Sequence, residues 1–224
     1  MFEAVLKALS QLGDPPIRRV ILKTLVWTLL SFIVLLALAW WLVGWLSGLH
    51  GWWAEVAQWG GTLLALVIAW FTFPAVAATI ASFYCEEVAR AVEAKYYPGR
   101  GPAHEVPILA SVLDGLKLAG LSLLINLVAL PFLLVPPLYP IISWGLGGYL
   151  IGREYYEMVS YRRLDRRAAH QLMAQRRGRF TLAGILIAVV LTIPGLNLIA
   201  PVIATAFMVH LTESVVNQRA IRSI

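Results

Sequence analysis

TLVWTLLSFIVLLALAWWLVGWLSG, residues 24–48, decides the fold. No charged side chain interrupts it. As a helix, at about 1.5 Å per residue, it outreaches a hydrocarbon core of about 30 Å. Residues 56–85 carry no charge either, and they read as a second segment of the same kind. Of the 224 residues, 60% are hydrophobic and only 13% charged, too few charges to coat a soluble domain of this length. The chain reads as an integral membrane protein.

Charge placement gives the orientation. All 18 basic residues lie in the N-terminal segment, in residues 86–117, in residues 153–179 or in the C-terminal tail. The remaining polar stretch, HGWWAEVAQWGG at 50–61, has neither Lys nor Arg. All basic segments can therefore face the cytoplasm, with that loop outside. Trp40, Trp41, Trp45, Trp52, Trp53 and Trp59 flank the loop as an aromatic belt. A long helix over 17–48 goes out and a second over 60–96 returns. The second extends into the cytoplasm through CEEVARAVEAKYY and stops at Pro98–Gly99. MFEAVLKALSQLG, residues 1–13, lacks the basic start and small-residue cleavage site of a signal peptide. Phe2, Val5, Leu6, Leu9 and Leu12 recur at helical spacing, so it is either an amphipathic helix on the membrane or one packed on the rest.

The second half is built differently. Residues 106–153 and 180–216 form two hairpins, each with a proline breaker at its uncharged tip. The tips LPFLLVPPLYPIISW and VVLTIPGLNLIAPVIAT share an order: apolar arm, Pro-containing turn, further Pro, apolar arm. Three of the four apolar arms are shorter than about 16 residues, roughly 24 Å of helix. Short arms fit hairpins that penetrate partway, and tilted full crossings are the alternative. The expected fold class is all-α: two long transmembrane helices, two short, partly penetrating helical hairpins, and amphipathic or cytoplasmic helices. All belong to a single membrane domain, 1–224. Residues 154–179, with arginines throughout and a break at Gly178, read as a cytoplasmic helix. It either anchors to anionic headgroups or forms the collar of an anion entrance.

GDPPIRR, residues 13–19, stands directly before the first span. Asp14 suits an N-cap, and Pro15 and Pro16 suit a first helical turn. The amides of Ile17 and Arg18 would then point out of the positive end of a helix, beside the planar forks of Arg18 and Arg19. That is an oxyanion site. An arginine pair before a span is also the commonest orientation signal, and both readings stay open.

Other residues are weaker candidates. Asp114 and Lys117 are spaced to pair on one helix face. Asn126 and Asn197 sit in apolar surroundings, and Asn197 suits a helix cap. Glu86 and Glu87 line a vestibule or are solvated. Gly145, Gly147 and Gly148 permit close packing, within the subunit or between subunits. Cys85 cannot form an intramolecular disulfide, because it is the only cysteine, and it reads as a packing residue. The four histidines are scattered, and no GxxxxGK[ST], GxSxG, HxxxH or CxxC is present. No enzyme, cofactor, metal site or nucleic-acid partner is expected.

PPIRRVIL resembles the arginine-pair element of the CysZ sulfate permeases, a family related to the etoposide-induced membrane proteins of eukaryotes. RRGRFTLAGILIAVVLTIPGLNLIAPVIATAF resembles that family's last hairpin, and PPLYPIISW its first hairpin tip. The likeness runs in order along nearly the whole chain. It implies partly penetrating hairpins, a homo-oligomer in the bacterial inner membrane, and sulfate uptake for cysteine synthesis. Sulfate would be held at Pro16, Ile17, Arg18 and Arg19. Pro16 stands where the family has glycine, which removes one backbone donor, and Lys23 replaces a usual proline. The alternative function is a non-transporting membrane scaffold that organises lipid.

Overall fold

A proline pair, a charge-free apolar run and an absence of internal breakers make residues 15–47 one helix. The computed structural model describes residues 1–47, 52–99, 103, 108–129, 131, 134, 138–193 and 195–222, and among them the only regular structure is helical. A first helix, α1 (Phe2–Ser10), runs through a tight turn, Gln11–Gly13, into α2 (Pro15–Ser47). Next come α3 (Trp52–Tyr96), α4 (Ile108–Ala129), α5 (Leu138–Ser160), α6 (Arg166–Gln175), α7 (Arg177–Leu191) and α8 (Ala200–Arg222). The 33 residues of α2 and the 45 of α3 correspond to about 50 Å and about 68 Å of helix.

Among the described residues one segment, Pro15–Trp41, is long and apolar enough to cross a membrane. The second expected span falls on α3, several of whose side chains between 65 and 82 lie outside the described residues. Two boundaries differ from expectation. Helix α3 begins at Trp52, inside the expected loop, because WWAEVAQW is rich in helix formers and places Glu55 in the positive first turn. The arginine-rich stretch breaks twice. Arg153 to Ser160 belong to α5, residues 161–165 turn, and a second break falls at Arg176, two residues before the expected one at Gly178. The first break falls where it does because Asp165 caps α6, accepting the Arg167 amide at 3.1 Å.

Helix α8 is the hub. From Ala204 to Glu213 every residue is buried, so neighbours surround the helix on all sides. Against it lie Ala4, Ala8 and Gln11 from the N-terminal segment, Val88, Ala89 and Val92 from α3, and Tyr156 and Val159 from α5. Small residues also let α5 and α7 touch backbone to backbone. A Cβ at Gly184 would run into the Gly148 carbonyl and the Gly152 backbone. Gly148 therefore packs within the chain, whereas a Cβ at Gly145 or Gly147 would meet open space. Asn197 does not cap α8, which starts at Ala200; its own amide donates to the Ile193 carbonyl in the turn before it.

The outer surface is greasy. Leu22, Val26, Trp27, Leu30, Ile33 and Val34 stand exposed on α2, as do Leu182, Leu186 and Val189 on α7. A monomer in water seldom shows apolar faces this long, and they fit association with a membrane. Helix α1 combines both expectations for it. It buries Ala4 and Ala8 against α8 and presents Phe2, 77% exposed, with Leu6 and Leu9, to the outside.

Candidate anion site at the start of the long apolar helix

The polypeptide enters α2 through an extended residue, Asp14 (φ −70°, ψ 134°). Its carbonyl accepts the Arg18 amide at 2.8 Å, which is the first hydrogen bond of the helix. Pro15 and Pro16 have no N–H to offer. The first turn thus presents one backbone donor, Ile17. The expectation that the Arg18 amide is also free is corrected: helix geometry hands it to the residue four before it. The Ile17 side chain is buried beside Val20 in the core, which fixes the helix start, while Pro15, Pro16, Arg18 and Arg19 face outward.

Acids and bases around this helix start are matched in pairs. Asp14 Oδ1 accepts from Lys95 Nζ at 2.6 Å, and that ammonium also lies 5.1 Å from the Tyr96 ring. The hydrogen bond to Asp14 holds Lys95 above the ordinary lysine pKa. Lys23 Nζ donates to Glu87 at 3.1 Å, with the Tyr84 ring 5.9 Å away. The guanidiniums of Arg18 and Arg19 have no hydrogen bond or ion pair to any described residue. They are the cations left over at a positive helix end.

The arginines of residues 153–179 are mostly committed. Arg162 Nε and Nη2 donate to the two oxygens of Glu93, both at 3.2 Å, and Nη1 donates to Glu86 at 3.1 Å. Arg163 also donates to Glu93. Arg166 lies over Tyr161, Arg177 over Tyr149, Arg153 on Glu157 and Arg179 on Gln218. Glu86 and Glu87 hold cations across helix seams, and both side chains stay largely open to the outside. The side chains of Asp114 and Asn126 lie outside the described residues.

One polar cluster has no counterpart in the sequence reading. Gln11 Nε2 meets His210 Nε2, and Tyr97 Oη lies 2.7 Å from His210 Nδ1. It ties the turn before α2 to the end of α3 and to α8, outside the two long apolar segments. Burial pushes the His210 pKa down to about 4. Three residues this far apart carry no shared sequence signal. The Asp165 cap, in contrast, was readable from LDRRAAH as an acid directly before a helical run.

The family model described as "Sulfate transporter CysZ/Etoposide-induced protein 2.4" matches residues 4–201. The chain belongs to this family. The match takes in the arginine pair, the α4–α5 hairpin and α7, and it ends at Pro201, the second residue of the hub helix. Among curated proteins, none matches the chain. The family is of transporter type, and sulfate transport is the activity its description names. A sulfate-transporter-like function follows at that level, with an oxyanion as the implied substrate.

Proposed function

We propose that this protein carries sulfate, or an oxyanion of the same shape, across the bacterial inner membrane to supply sulfur assimilation and cysteine synthesis. The observation that carries the reading is the leftover charge: the guanidiniums of Arg18 and Arg19 pair with no described residue, while Lys23 and Lys95 beside them are both neutralised. Guanidinium forks suit a tetrahedral dianion, and the Ile17 amide adds a donor at the positive helix end. Pro16 gives no hydrogen bond but stiffens the approach to Ile17. Both guanidiniums reach the anion from the cytoplasmic end of α2. Helices α2 and α3 cross the bilayer, and α4–α5 and α7–α8 enter it partway. Copies of the chain assemble around the pathway, which is channel-like or coupled to another ion.

Flux of radiolabelled sulfate into proteoliposomes tests this. The expected result is uptake above empty vesicles that falls when both arginines become glutamine. No uptake in several lipid compositions rejects the transport reading.

The exposed apolar face of α1, Phe2 with Leu6 and Leu9, favours the second reading, a lipid-organising scaffold. Under that reading the glutamine variants leave sulfate affinity unchanged, and binding to anionic vesicles follows the arginines of residues 162–179.

A further inference from the structure

Asp14 stands where it should occupy Arg18. Asp14 is the extended residue directly before α2, and its carbonyl accepts the Arg18 amide at 2.8 Å, so the two residues are neighbours at the helix start. Asp14 also sits at the helix start, where its negative charge would oppose a bound anion. Neither effect operates, because Asp14 Oδ1 is taken by Lys95 Nζ, 2.6 Å away and reaching across from the last turn of α3. The Asp14 side chain is only 18% exposed, so a carboxylate left without that partner would turn to the nearest cation.

We propose that Lys95 is a positioning residue of the oxyanion site, which holds Asp14 so that Arg18 stays free and the carboxylate's field at the helix start is cancelled. The inference rests on reading the Arg18–Arg19 helix end as an oxyanion site. Lys95 does not touch the anion. It cancels Asp14 as Lys23 cancels Glu87, and the two positive charges that remain belong to Arg18 and Arg19. Two leftover charges match a dianion such as sulfate. The position of Lys95 is itself secured, since Tyr97, two residues on, is bonded to buried His210.

The test is equilibrium binding of radiolabelled sulfate to the purified full chain in nanodiscs, with thermal melting to confirm folding. Lys95→Met is expected to weaken binding about tenfold, the effect of one unscreened charge a few ångströms from the ligand. Lys95→Arg keeps the charge and binds within about twofold of the parent. Asp14→Asn removes the carboxylate's charge from the helix start and binds as tightly as the parent or more tightly. Adding Asp14→Asn to Lys95→Met restores affinity to within about threefold, because the carboxylate that captured Arg18 is gone. A purely structural role for Lys95 would not be rescued in this way.

Parent-like binding by Lys95→Met overturns the inference, as does failure of the double variant to recover, or weaker binding by Asp14→Asn. If Lys95→Met does not fold, Asp14→Asn and Lys95→Arg still decide. Where the parent chain binds sulfate and Arg18→Gln abolishes it, an unaffected Lys95→Met removes only this inference. Where the parent chain binds no sulfate, the oxyanion reading fails and takes this inference with it.

Discussion

Two Arg-Arg pairs, 18–19 and 162–163, are the same dipeptide in opposite conditions. Arg162 is 6% exposed and shares Glu93, itself 4% exposed, with Arg163. Arg18 and Arg19 point outward from a helix start with no acid opposite them among the described residues. The 162–163 pair is structural, because the buried Arg162 guanidinium is tolerable only beside a carboxylate. The 18–19 pair is available, because its neighbours Lys23 and Lys95 have taken the local acids. Arginine density along a sequence is therefore a poor guide to anion binding. What matters is the charge left after the acids are assigned.

That contrast breaks most visibly at Glu93. Glu93→Ala leaves Arg162 and Arg163 without their shared carboxylate, and is expected to cost about 3–5 kcal/mol, read as a lower thermal midpoint in detergent. If the midpoint holds, the buried pair is not structural and the comparison collapses. At the other pair the outcome should invert. Arg18→Gln or Arg19→Gln is expected to weaken sulfate binding by about 10- to 100-fold, the range for a lost charge-assisted hydrogen bond. Stability should move by no more than about 0.5 kcal/mol, as for other exposed positions.

Acid tests what fastens the free pair. Gln11, three residues before Asp14, is held by His210, whose folded pKa near 4 lies below its ordinary value of 6.5. Between those values the unfolded chain binds the proton more readily than the folded one. Stability contributed by neutral His210 is thus complete above about pH 6.5 and declines as pH falls toward 4. Thermal midpoints recorded across that window should drop on acidification, and His210→Gln should flatten the slope. The smallest effect belongs to the half-exposed pair Lys23–Glu87. Glu87→Gln is expected to change stability by less than about 1 kcal/mol, while adding a third uncompensated cation near Arg18 and Arg19. A measurable gain in sulfate affinity there would sharpen the leftover-charge view.

Much of the helix order was legible, because apolar length, prolines and caps act locally. Residues 15–47 show this. The break expected at Gly178 falls two residues earlier, at Arg176, while the turn at 161–165 is set by the Asp165 cap and has no glycine or proline to mark it. At the candidate site the residues were readable and their donors were not. The loss of the Arg18 amide follows from α2 starting directly after Asp14.

From the sequence alone came the all-helical class, the long apolar helix and the arginine pair at its start. These depend on composition and on residues within a few turns of one another. Only the tertiary structure decided that α8 is the hub, that Glu93 engages one arginine pair, and that Lys95 takes Asp14 from the other. The physical reason is distance along the chain. Lys95 lies 81 residues from Asp14 and Arg162 lies 69 from Glu93, so those charges are matched only once the helices pack.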